Sequence, residues 1–172
     1  MWKNNDARPL KMKPQPGQTH STLPRHGISI SNRQRARKID LRWLKKVTSA
    51  TLLELKIENA ELGIVLVGPK EMASLNEEFL GHEGATDVIT FDYSSQQSAV
   101  RGPRMHGEIF VCVAEAERQA KLFRTDWLSE VVRYVVHGIL HLTGHDDLQP
   151  MARKKMKREE NRLVRKIVQG AG

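Results

Sequence analysis

The chain predicts a single α+β domain, with about four strands in a mixed sheet and helices packed on it. Three observations carry that prediction. At 172 residues the chain suits one domain with a real core. Short continuous apolar runs of strand length alternate with segments whose apolar residues recur every three or four positions. Their order is strand, helix, strand, helix, strand, strand and then helices, with no internal repeat. Hydrophobic residues make up 39% of the chain and aromatic residues only 5%, so the core is expected to be mostly aliphatic.

Residues 1–25 carry Pro9, Pro14, Pro16 and Pro24 among Lys3, Arg8, Lys11, Lys13 and Arg25, without an apolar period. They read as a disordered basic arm ahead of a domain spanning 26–172. Gly27 to Ser31 alternates as a short strand does. A solvated basic connection follows (Arg33, Arg35, Arg37, Lys38). Asp40 is placed to cap the next helix, with Ile39 and Leu44 as its hydrophobic staple and Leu41, Leu44 and Val47 as its stripe. Leu52 to Ile57 fits either a helix end or an extended piece.

Leu62 to Val67 is a continuous apolar run, hence a buried strand. Pro69 opens a helix at its first turn. Met72, Leu75 and Phe79 form its stripe and Gly81 stops it. Asp87 to Asp92 is β-branched and aromatic, a strand. A polar loop from Ser94 to Pro103 precedes a second buried strand, Glu108 to Ala114. Ala114 to Phe123 reads as a helix, Trp127 to Thr143 as another, and 151–168 as the last, with Met156, Leu163, Val164 and Ile167 on its apolar face.

The Trp127–Thr143 helix carries the chemistry. At roughly 100° per residue, Leu128, Val131, Val132, Val135, Val136, Ile139 and Leu142 fill one broad arc. His137 and His141 lie nearly opposite its centre, with Glu130 between them in projection. One turn apart, the two imidazoles stack about 6 Å from each other, the geometry needed to share one metal ion. Gly144 ends the helix, and the turn presents His145, Asp146 and Asp147 to the same point.

Imidazoles select zinc or another late transition metal, and two or three protein ligands leave a position open for catalysis. A metalloprotease of the zincin type needs Glu directly after its first histidine; this chain has Gly138 there. The net charge of +8 favours a polyanionic partner. A metal beside strong positive charge points to phosphodiester rather than peptide cleavage. A single cysteine, Cys112, excludes an internal disulfide framework and leaves no disulfide-linked partner to expect. No apolar run approaches the ~20 residues of a membrane span, and the N-terminus lacks an apolar signal core. The expected location is the cytoplasm.

The stretch His137-Gly138-Ile139-Leu140-His141-Leu142-Thr143-Gly144, continued to Asp147, resembles the signature of the YbeY endoribonucleases. Leu75-Asn76 with Phe79, Thr86 to Phe91, Gly107-Glu108-Ile109, and Met156 with Glu160 are similar to further blocks of that family, in the same order. The resemblance spans roughly residues 27–168. It implies a zinc-dependent, single-strand-specific endoribonuclease with one Zn2+ per chain. Such an enzyme acts in ribosomal RNA maturation at the 3′ end of 16S rRNA, through metal-activated water attack on a phosphodiester, in company with the small ribosomal subunit. The alternative is a non-catalytic RNA-binding assembly factor whose metal is structural.

The resemblance and the residues themselves together give the candidate roles. His137 and His141 are metal ligands, catalytic through the metal. The third position, a histidine in the family pattern, falls on Asp147, and His145 is the rival. Glu108 is a candidate general base by its strand position alone. Glu130 is a candidate partner for His137. Arg133 flanks the histidine face as a candidate phosphate contact. Arg153, Lys154 and Lys157 are candidate RNA contacts on the basic last helix. Leu80 stands where the family has an arginine.

Overall fold

A computed structural model of the chain describes residues 10–11, 27–94 and 105–170. Four strands, β2 (Gly27–Asn32), β3 (Ala60–Val67), β4 (Val88–Asp92) and β5 (Met105–Cys112), form a mixed sheet, which a two-residue β1 (Leu10–Lys11) extends. Their order is β1-β4-β5-β3-β2, with only the β4–β5 pair antiparallel. The helices are α1 (Leu41–Glu54), α2 (Pro69–Leu80), α3 (Val113–Phe123), α4 (Trp127–Leu142) and α5 (Pro150–Gly170). The expected α+β domain is therefore the one observed. Leu10 and Lys11, inside the expected disordered arm, pair with Phe91 and Asp92. The rest of that arm, and the polar loop beyond Ser94 as far as Pro103, lie outside the described residues.

Local chemistry sets the boundaries. Asp40 caps α1, its carboxylate accepting from the amides of Arg42 and Trp43. The ambiguous stretch Leu52–Ile57 is a helix end. α1 runs to Glu54, then Lys56 takes φ 56° and the Ile57 amide closes on the Leu52 carbonyl at 2.9 Å. Gly81, at φ 67°, ends α2 in the left-handed conformation that glycine reaches without strain.

The sheet has two covered faces. Leu62, Ile64, Leu66, Ile109 and Val111 pack against α1 and α4; Val65, Val67, Ile89, Phe91 and Phe110 pack against residues of α2. α4 is itself held on two sides. Val131, Tyr134, Val135 and Ile139 face the sheet, while Val132, Val136 and Leu140 face Met156, Leu163, Val164 and Ile167 of α5. That double burial is why its apolar arc is so broad, and it leaves one narrow polar strip for the histidines. Among the described residues, no helix is long and apolar enough to cross a membrane.

α4 approaches β5 closely because two glycines let it. A Cβ at Gly138 would lie 2.8 Å from side-chain atoms of Ile109. A Cβ at Gly107 would lie 2.5 Å from the Phe91 carbonyl oxygen and 2.7 Å from Leu142. Gly138, which in sequence only told against a protease, is thus a packing requirement of the site's own helix.

Candidate metal centre

Asp126 starts α4 by accepting from the Ser129 amide at 3.0 Å. Sixteen residues later the helix closes in a Schellman turn: the His145 amide donates to the Leu140 carbonyl at 3.0 Å and the Gly144 amide to the His141 carbonyl at 2.9 Å, with Gly144 at φ 88°. This turn brings the His145 backbone carbonyl to His141 Nδ1 at 3.1 Å. It also returns Asp147 to the histidine pair.

Three donor groups converge there. His137 Nε2 and His141 Nε2 face each other at 3.1 Å, and Asp147 Oδ2 lies 3.9 Å from the first and 3.8 Å from the second. The other ring nitrogens decide what these atoms are. His141 Nδ1 meets a carbonyl, which only accepts, so Nδ1 carries the proton and Nε2 the lone pair. His137 Nδ1 lies 3.0 Å from Glu160 Oε2, a carboxylate oxygen, and is protonated for the same reason. Two lone pairs and a carboxylate therefore point at one spot, an arrangement that calls for a cation. Asp147 Oδ1 is buried without a hydrogen-bond partner among the described residues. Two nitrogens on one tetrahedral zinc stand about 3.3 Å apart, given zinc–nitrogen bonds near 2.05 Å, close to the separation seen. His137, His141 and Asp147 could hold such an ion.

The electrostatics match. Burial works against protonation of His137, but the hydrogen bond and charge of Glu160 outweigh it and raise its pKa. Burial, reinforced by the charge of His137, pushes His141 down to about 4. Burial would raise Glu160, yet His137 and Arg133 together hold its carboxyl below the usual range.

The other predicted residues fall as follows. The His145 ring turns to the Thr143 hydroxyl at 3.0 Å. Asp146 accepts from the Leu148 amide at 2.9 Å and so shapes the turn into α5. Arg153 donates from Nε to the Asp147 carbonyl at 2.8 Å, and Lys154 and Lys157 lie exposed on α5 beyond it. Leu80, at the end of α2, packs against the apolar cluster on the far face of the sheet.

Two expectations need correction. Glu108 is not brought to the site. Its neighbours Gly107 and Ile109 face α4, so strand alternation sends Glu108 to the opposite face of the sheet, where it accepts from the Tyr93 hydroxyl at 2.7 Å. Glu130 is not the partner of His137; it accepts from the Thr125 hydroxyl at 2.8 Å and lies 3.6 Å from Arg133. Arg133, on the histidine flank, is bound to Glu160 and Asn161, each at 2.7 Å.

Two residues of the site were not recognised as such in the sequence. Glu160, on α5, holds His137. Its signal was present: a carboxylate placed among Met156, Leu163, Val164 and Ile167 on a buried helix face, where an ionised group needs a partner. Asp87, just before β4, interacts electrostatically with His137, and burial pushes its carboxyl up. Its Oδ1 accepts from the Thr86 hydroxyl and the Val88 amide, both at 2.9 Å. Asn76 steadies the approach to Asp87 by donating to the Gly84 carbonyl at 2.8 Å.

Comparison with known proteins places the chain in a family. The family model described as endoribonuclease YbeY matches residues 29–168. An endoribonuclease YbeY of Elusimicrobium minutum is 39% identical over 123 residues, covering 72% of this chain and 85% of that protein. The endoribonuclease YbeY of Chlorobium phaeovibrioides is 35% identical over 129 residues, covering 75% and 82%. That of Salinibacter ruber is 30% identical over 144 residues, covering 82% and 92%. The solution structure of TM1509 from Thermotoga maritima superposes with a TM-score of 0.58 at 26% identity, covering 81% of this chain and 88% of that one. With a family model that matches residues 29–168 and relatives 30–39% identical over most of both chains, the chain belongs to the endoribonuclease YbeY family.

Proposed function

We propose that this metal-dependent endoribonuclease uses one zinc ion, held by His137, His141 and Asp147, to cut single-stranded RNA in the maturation of the small-subunit ribosomal RNA at its 3′ end, in the cytoplasm. The observation that carries the reading is the convergence of His137 Nε2, His141 Nε2 and Asp147 Oδ2, all within 4.8 Å of one another. When bound, zinc would supply a water of lowered pKa and a Lewis acid for a phosphoryl oxygen.

The chain's own residues have separable tasks. His137 and His141 present Nε2 lone pairs, Glu160 and the His145 carbonyl hold their Nδ1 protons, and Asp147 adds negative charge. Arg153, which meets the Asp147 carbonyl, and the exposed Lys154 and Lys157 on the same helix would hold backbone phosphates of a strand entering the site. The net charge of +8 supports a polyanionic substrate, and the scarcity of aromatic residues supports recognition by charge and shape.

The test is direct. Zinc-loaded protein should cut single-stranded RNA and spare duplex RNA, and His137→Ala should abolish cutting. Unchanged cutting by that variant, or after chelation, would refute the reading. Leu80, apolar and packed where the family carries an arginine, favours a second reading as a ribosome assembly factor with a structural metal. In that case the protein binds small subunits or their RNA but cleaves at no metal loading.

A further inference from the structure

His137 is held from α5 by an asymmetric pair of contacts on one carboxylate. Glu160 Oε2 lies 3.0 Å from His137 Nδ1, while Glu160 Oε1 accepts from Arg133 Nη1 at 2.7 Å. Arg133 is kept in place independently, because Asn161 Oδ1 accepts from the same Nη1 at 2.7 Å. The Glu160 side chain is 4% exposed, so water does not mediate these contacts. A guanidinium only donates and an ionised carboxylate only accepts. The chain of donors and acceptors therefore has one direction: Arg133 to Glu160, and His137 Nδ1–H to Glu160.

We propose that Arg133 and Glu160 together form a lock on the His137 tautomer, in which Glu160 fixes the proton on Nδ1 and Arg133 fixes which oxygen of Glu160 meets the ring. Both are positioning residues: they act on the metal only by aiming the Nε2 lone pair. The inference rests on the zinc reading above for its metal, though the state of the ring stands without it. It makes Arg133 a positioning residue within the metal helix, acting through Glu160 of α5, a role its sequence position on the histidine flank did not suggest.

The lock makes an unusual prediction for Glu160→Gln. A carboxylate has no wrong orientation, but an amide has one. Arg133 can only donate, so it captures the amide oxygen. The amide NH2 is then left facing His137 Nδ1. Nδ1 must accept, the proton moves to Nε2, and the lone pair aimed at the metal is lost. Removing the arginine frees the amide to turn its oxygen to the ring. Arg133→Met should therefore rescue Glu160→Gln.

Zinc affinity of the full-length protein, measured by competition with a chromophoric chelator, reads this out. Glu160→Gln should weaken zinc by about 10- to 100-fold, the usual cost of losing a partner behind a metal-bound histidine. The double variant Glu160→Gln/Arg133→Met should bind more tightly than Glu160→Gln alone. Arg133→Met alone should lose less affinity than Glu160→Gln. Nitrogen-15 spectra of the histidine rings supply a readout that fold damage would not mimic. They should show the proton on His137 Nδ1 in the wild-type protein and on Nε2 in Glu160→Gln. Unaltered zinc affinity in Glu160→Gln, a double variant no tighter than the single, or a neutral Nε2–H ring in the wild-type protein would each overturn the proposal. If the wild-type protein binds no zinc, the metal reading fails, while the wild-type ring spectrum still decides the lock. That spectrum also decides if Glu160→Gln does not fold.

Discussion

The contact of Gly138 with Ile109 makes the placement of α4 testable without any metal. A methyl group at residue 138 would lie 2.8 Å from Cδ1 and Cγ2 of Ile109 and 2.9 Å from its Cγ1. Ile109 is fully buried, at 0% exposure, and β-branched, so it has little rotamer freedom with which to withdraw. Overpacking of this kind costs about 1–3 kcal/mol. Against it stands the gain of about 1 kcal/mol when alanine replaces glycine inside a helix. Gly138→Ala should then be destabilising by up to about 2 kcal/mol, the difference of those two effects. The sharper result lies in the cycle with Ile109→Ala. There the three offending atoms are gone, and Gly138→Ala should stabilise by about 1 kcal/mol. The coupling between the two sites is thus about 1–3 kcal/mol, the overpacking cost itself. Urea unfolding of the four proteins measures it, and each kcal/mol corresponds to about 2–4 °C in Tm for a chain of this size. Additivity of the two substitutions to within about 0.5 kcal/mol would show that α4 does not rest on Ile109 as described.

Three more outcomes follow from the site. Asp147→Ala should weaken zinc binding strongly, whereas His145→Ala should leave it nearly unchanged, because the His145 ring is turned to Thr143; the reverse pattern in chelator competition would make His145 the third ligand. Without metal, stability should peak near the ordinary histidine pKa of 6.5. Above it, His137, whose folded pKa is raised, gives up its second proton, the one on Nε2, and with it the positive charge that faces Glu160, so its contribution is lost as pH rises; below it, His141, lowered to about 4, loses stability as pH falls because the unfolded chain takes up protons first. Zinc competes with those protons and should move the optimum upward; thermal melts across pH with and without zinc would show it, and identical profiles would contradict it. Finally, Lys154→Ala/Lys157→Ala should weaken single-stranded RNA binding at low salt and flatten its salt dependence by about one to two phosphate contacts, with unfolding within about 0.5 kcal/mol of wild type; filter binding over a salt series would expose the opposite result as an unchanged slope.

Much of this protein is legible along the chain. The strands and helices follow from continuous apolar runs, periodic stripes, the Asp40 cap and the glycine stops, all of which act over a few residues. The histidine pair is legible for the same reason: four residues are one helical turn, so His137 and His141 share a face wherever α4 is placed. Asp147 comes within reach through a local turn that Gly144 opens and Asp146 continues. What the chain order does not encode is which distant surface closes over that face. Glu160 reaches His137 only because Val132, Val136 and Leu140 of α4 pack on Met156, Leu163 and Val164 of α5, and the same packing turns Arg133 inward to Glu160. Glu108 illustrates the complementary point: its strand was evident, but the face it takes depends on β5 pairing between β3 and β4 and on α4 covering the side of Gly107 and Ile109. Local spacing decides which residues stand together on one element; only the packing of elements decides which charges meet across them, because those contacts are made by apolar faces that carry no record of the polar residues beside them.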